Sequence, residues 1–238
     1  MKIFITILLL SGSLFASCDR GIVITIHGFL QSARGMQDAD RALRYVGLRT
    51  YNFDYRSLTG SIRDHGHLLA LYTQEVAAKH PDQKINFVAH SLGALLLRVA
   101  SNDPCFPESA KTGRTVLFAP PSSGAELGRK YMAELGRFYR CLGFELAYEL
   151  SSYTASDIVN LGSYPDSMEI LIIAGCRGSR FLLDEENDGV VAVSETGIEN
   201  PFYFQTFYVT HYRIMHYPPA LNLCRYFILN EFSDEECN

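Results

Sequence analysis

A serine hydroxyl becomes a useful nucleophile when a base removes its proton, and attack on an acyl carbon also needs N–H donors for the charge developing on oxygen. The run Ala89-His90-Ser91-Leu92-Gly93 has the residue types for that chemistry. It follows the apolar stretch Lys84 to Ala89 without a linker and leads directly into Ala94 to Ala100, whose composition is strongly helical. A strand that turns at once into a helix displays the serine at the turn, and small residues such as Ala89 and Gly93 let so sharp a turn close. Ser91 would then stand at the carboxyl end of a strand, with the Leu92 N–H and the helix N-terminus facing the reacting oxygen. Its partners must come from distant sequence. Carboxylates are concentrated in Asp184-Glu185-Glu186-Asn187-Asp188, and two histidines, His211 and His216, follow the last apolar run.

Positioning such groups requires a scaffold. With 238 residues, 47% of them hydrophobic and 20% charged, the chain can bury a sizeable core as one globular domain. The net charge of -5 is spread without a block of lysines or arginines, which argues against nucleic acid as a partner. Gly21 to Ile26 is a β-branched apolar run that suits a strand buried on both faces. A helical stretch from about Ser32 to Val46, a strand at Arg49 to Tyr55 and an amphipathic helix from Ile62 to Lys79 follow, the last ending before Pro81. Further strands are expected at Lys84 to Ala89, Thr115 to Ala119, Met168 to Ala174 and Phe202 to Val209, with a closing helix from about Pro219 to Asn230. Strands alternating with helices imply parallel pairing through right-handed crossovers, hence an α/β three-layer sandwich around a mostly parallel sheet. Such sheets bind ligands at the carboxyl ends of their strands. Residues from about 121 to 165 carry no strand signal and read as a helical insertion; a lid over a pocket and an ordinary crossover pair both fit.

On Ala89-His90-Ser91-Leu92-Gly93, and on His27-Gly28-Phe29 directly after the first strand, the chain resembles the α/β-hydrolase family, in particular small bacterial lipases and esterases. Ala89 stands where that family usually carries glycine. The resemblance implies a triad in the order serine, acid, histidine, with Ser91 as nucleophile. Asp188 fits the acid because Asn187-Asp188-Gly189-Val190-Val191 is similar to the family's acid loop; Asp184 is the second candidate. His211 fits the base by its place after the last strand, with His216 as rival. Phe29 and Leu92 would supply the oxyanion N–H groups, and Pro120-Pro121-Ser122-Ser123-Gly124 would border an acyl pocket. The implied activity is hydrolysis of carboxylic esters of lipids or other acyl compounds through an acyl-enzyme, with no metal or organic cofactor. An acyltransferase or thioesterase on the same fold, or a non-catalytic binding protein on this scaffold, remain alternatives.

The remaining motifs speak to location and stability. Met1-Lys2, the apolar run Ile3 to Leu10 and small residues up to Ser17 have the layout of a secretory signal peptide, leaving 18–238 as the folded unit. Leu14-Phe15-Ala16-Ser17-Cys18 resembles a lipoprotein box, so lipidation of Cys18, with membrane association, and ordinary cleavage both stay open. The expected locations are thus periplasmic, extracellular or membrane-anchored. The even count of six cysteines permits full disulfide pairing in an exported protein, and no pair has C-x-x-C spacing for zinc. His65 and His67 are two residues apart on a helix and do not face one another, so a solvated helix start is expected there rather than a metal site.

Overall fold

The computed structural model describes residues 20–132, 141, 143–179, 181 and 184–231. The signal-peptide run, Cys18 and Cys237 lie outside the described residues. Six strands are described: β1 (Ile22–Ile26), β2 (Arg49–Phe53), β3 (Ile85–His90), β4 (Arg114–Phe118), β5 (Glu169–Gly175) and β6 (Tyr203–Phe207). They form one sheet in the order β2-β1-β3-β4-β5-β6, and every pairing is parallel. Around it run α1 (Gln37–Tyr45), α2 (Ile62–Lys79), α3 (Leu92–Ala100), α4 (Glu108–Lys111), α5 (Glu126–Met132), α6 (Glu145–Ser152), α7 (Ala155–Val159) and α8 (Pro218–Ile228).

Strand side chains alternate between two cores, as the period of two requires. Ile22, Ile24, Ile26, Phe87, Leu117 and Ile172 face the layer built by α2 and α3. Val23, Val88, Val116, Leu171 and Ile173 face the opposite layer, where Leu43 of α1 and Phe227 of α8 meet them. The resulting three-layer α/β sandwich is the expected architecture. Each fully buried aliphatic side chain contributes roughly 1.5–3 kcal/mol, so the sheet centre is the most strongly held part of the molecule.

Boundaries differ from the sequence expectation for local reasons. β2 stops at Phe53 because the chain then turns to bring Tyr55 onto His27. The stretch after Ser32 divides into a 3₁₀ turn, Ala33–Met36, and α1. β6 is an edge strand and ends two residues early, where the Val209 N–H turns back to Phe207 O at 2.8 Å. α2 has its expected bounds: Ser61 Oγ accepts the Asp64 N–H and the Asp64 carboxylate accepts the Ser61 N–H, a reciprocal cap.

Cys105, Cys141, Cys176 and Cys224 are free thiols, so no disulfide joins the described cysteines. One expectation needs correction. His65 is buried rather than solvated, because its Nε2–H donates to Thr59 O at 2.6 Å and its ring meets Tyr55. His67 instead pairs with Asp103, and among the described residues no group of three metal-ligating side chains occurs.

Candidate active site

Ser91 occupies the turn between β3 and α3 at φ 50, ψ -120, a backbone region that costs a residue with a side chain on the order of 1–3 kcal/mol. Neighbouring structure holds it there. The Ser91 N–H donates to Phe118 O at 2.9 Å, tying the turn to the end of β4, and every residue of α3 is buried. The need for glycine two residues on is geometric: a β-carbon at Gly93 would lie 2.7 Å from Ile26 O and 2.8 Å from His27 O. The first turn of α3 therefore rests on the end of β1, which carries the His27-Gly28-Phe29 segment.

The structure brings Ser91, His211 and Asp188 together from the ends of three strands. The Ser91 hydroxyl lies 3.0 Å from His211 Nε2, and His211 Nδ1 lies 2.7 Å from Asp188 Oδ2. With Nδ1–H donating to the carboxylate, Nε2 presents its lone pair to the hydroxyl. The other carboxylate oxygen, Oδ1, accepts the N–H groups of Val190 at 2.9 Å and Val191 at 2.8 Å. Asp188 is 2% and His211 3% exposed, and the His211 N–H returns to Asp188 O at 3.0 Å, so the pair is locked through both side chain and backbone.

The rivals are placed elsewhere. His216 is exposed and pairs with Asp38 of α1 at 2.7 Å. Asp184 is exposed, whereas Asp188 faces the core.

Of the expected oxyanion donors, Leu92 opens α3 directly after Ser91, and Phe29 lines the same cavity as Ser91. Neither the Phe29 nor the Leu92 amide has an acceptor among the described residues. A β-carbon at Gly28 would come within 2.8 Å of His90 Nδ1 and 3.2 Å of Ser91 Cβ, so only glycine lets this segment pass so close to the turn.

Residues that the sequence did not single out brace it. Gln31 Oε1 accepts the Gly28 N–H at 3.0 Å. His27 stacks on Tyr55 at 4.2 Å between ring centres, and the Tyr55 hydroxyl donates to His27 O. The Tyr55 contact could not be read from spacing, since it depends on how the chain turns after β2.

His90 packs beneath the turn and donates from Nε2 to His211 O at 3.1 Å. Burial, reinforced by the neighbouring His211, holds its pKa well below the ordinary histidine value of 6.5, so it is a neutral donor. Burial also lowers the pKa of His27.

Over Ser91 lies a cavity of about 270 Å³ lined by Phe29, Ala125, Leu150, Val191 and Tyr212 among others. α5 and α6 supply part of its walls, and Pro121 borders it, in keeping with the expected role of the loop after β4. Two carboxylates fasten these helices. Glu195, in a 3₁₀ turn at Val193–Thr196, accepts the Glu126 N–H at the start of α5 at 2.7 Å and the Ala192 N–H at 2.9 Å. Glu149 of α6 accepts the Ile62 N–H at the start of α2 at 2.6 Å. Burial raises the pKa of both.

No protein-family model and no curated protein matches the chain by sequence. Solved structures do match in fold. The mature form of the lipase BlEst2 from Bacillus licheniformis aligns over 82% of this chain and 86% of its own, with 17% identity and a TM-score of 0.65; the chain spans only 47% of the propeptide form. A gene product of Listeria innocua aligns over 92% of this chain and 97% of its own, with 16% identity and a TM-score of 0.64. The phospholipase PlaB from Legionella pneumophila aligns over 92% of this chain at 14% identity and a TM-score of 0.65, and the chain spans 61% of it. Strand order, helix placement and these neighbours agree on one architecture, and the fold of this chain is the α/β-hydrolase fold.

Proposed function

We propose that the chain is a serine hydrolase of carboxylic esters, acting on lipids or other acyl compounds through an acyl-enzyme on Ser91. The observation that carries this is the continuous hydrogen-bonded line from Ser91 Oγ through the His211 ring to buried Asp188, on the wall of an apolar cavity. His211 Nε2 takes the hydroxyl proton as Oγ attacks the ester carbonyl, and Asp188 steadies the imidazolium that forms. The Phe29 and Leu92 amides receive the oxyanion. His211 then gives its proton to the departing alcohol, and water activated by the same nitrogen releases the acid.

The cavity supports an acyl substrate of moderate size. If each methylene fills roughly the ~30 Å³ of a liquid water, 270 Å³ accommodates on the order of ten carbons. The names of two fold neighbours, a lipase and a phospholipase, support a lipid ester. In this proposal α5 and α6 act as a lid, residues 1–17 direct export, and Cys18 is either lipidated or near a cleaved N-terminus.

A fluorophosphonate probe tests the central claim: it should attach to Ser91, and Ser91→Ala should lose both labelling and ester hydrolysis, the latter by roughly 10⁴-fold or more. His211→Ala should match that loss while His216→Ala should retain activity. An unlabelled Ser91 in folded protein would make the chain a binding protein on this scaffold, and preference for an alcohol acceptor over water would make it an acyltransferase.

A further inference from the structure

A second, more open groove of about 510 Å³ adjoins the cavity over Ser91, and the two share Leu30 and Leu58 as lining. Leu30 is unusual on two counts. It is 64% exposed, and its backbone lies at φ 55, in the left-handed region that leucine seldom adopts. A buried hydroxyl holds it there, since Ser57 Oγ accepts the Leu30 N–H at 3.0 Å. The backbone immediately after the Phe29 amide is thus fixed at some energetic cost, with its side chain between two spaces rather than in the core. Beyond it the groove is walled by Tyr55 and Phe144, with Gln31, Arg56 and Thr59 around them, which suits a hydrocarbon chain under a polar rim.

Resting on the ester-hydrolase reading above, we propose that Leu30 and Leu58 form a wall that sets acyl-chain length, and that the groove behind it is the subsite for the distal carbons of longer chains. The direction follows from the chemistry. The leaving oxygen must lie at His211 Nε2 to receive its proton, which sends the alcohol arm toward His211 and its neighbours. Ser91, His211, Val190 and Tyr212 are all absent from the groove lining, so the arm that reaches it points away from His211. That arm is the acyl chain. A wall of two exposed or half-buried leucines limits that chain by apolar contact alone, where one methylene more or less is worth about 10- to 200-fold in selectivity.

The test compares kcat/KM for p-nitrophenyl butanoate, octanoate and hexadecanoate in the full-length protein, with fluorophosphonate labelling of each variant as a count of competent sites. Leu30→Ala and, independently, Leu58→Ala should each raise the hexadecanoate-to-octanoate ratio by about tenfold per labelled site. Leu30→Phe should move the ratio in the opposite direction. Unchanged ratios in both alanine variants would overturn the proposal. So would an equal fall on all three esters in Leu30→Ala with no change of ratio in Leu58→Ala, since Leu30 would then only brace the oxyanion segment. A wild-type chain that neither labels nor turns over any ester removes the underlying hydrolase reading and the wall with it, an outcome distinct from labelled protein with flat ratios.

Discussion

The frame that carries Ser91 and the helices that cover it are held by opposite kinds of force. In the frame, α3 is buried at every residue, the turn is tied to β4 through the backbone, and the titratable rings beneath it, His90 and His27, are kept neutral. In the cover, α5 and α6 bury only a few side chains, such as Leu127 and Leu146, and each is also tied down by a carboxylate, Glu195 or Glu149, that burial makes reluctant to ionise. Packing fixes where the chemistry happens, and a few polar contacts fix how it is reached. Change in the cover should therefore alter access, while change in the frame should abolish reaction.

The largest effect expected from this contrast is in the frame. Asp188→Asn keeps the shape of the acid loop but favours the wrong ring tautomer of His211, and kcat should fall by about 10⁴-fold with the fold retained by circular dichroism. Loss of folded protein instead would show that the carboxylate serves the loop more than the base.

Next in size is Gly93→Ala, whose new methyl meets two backbone oxygens that cannot move without shifting β1. A destabilisation of roughly 3 kcal/mol is expected, read as a drop in Tm of about 2–4 °C per kcal/mol. The counterpart in the cover is Glu195→Gln, which can still accept one of the two N–H groups. It should cost only about 1 kcal/mol, while speeding protease cleavage near α5 and changing KM more than kcat. Equal effects from the two substitutions would break the contrast.

The smallest effect is in pH dependence, where the two regions should move in opposite directions. A histidine held neutral in the fold takes up a proton more readily when unfolded, so the frame's stability is full above pH 6.5 and declines as pH falls below it. A carboxyl whose pKa is raised keeps its proton to higher pH in the fold than in the unfolded chain. Its contribution is therefore fullest below the ordinary glutamate value of 4.5 and is lost as pH rises through the raised value. Hydrogen exchange, corrected for intrinsic rates, should show amides of β3 and α3 less protected at about pH 5 than at about pH 8, and those of α5 and α6 more protected. Parallel changes in both regions would mean that they unfold as one unit.

This division also accounts for what could be read from the sequence. Ser91, Asp188 and His211 were legible because strand ends, the order of groups along the chain and a tight turn are local or topological signals, and the sheet brings all three together. α2 was legible because its amphipathic run stops before Pro81, and the Ser61–Asp64 cap fixes its start in the structure. Gln31, Tyr55 and Glu195 were not, because each acts across a loop whose path depends on the folded neighbours it contacts. Leu30 was not, because nothing in its identity reveals a positive φ.

The torsion of Ser91 has one more consequence. A backbone held at φ 50 tolerates a side chain with a single heavy atom on Cβ far better than one with two, because a second branch collides with the turn itself. The position therefore acts as a filter on evolutionary replacement. An unbranched nucleophile such as cysteine could succeed serine there within the same frame, whereas threonine, closer to serine in its chemistry, is shut out by shape.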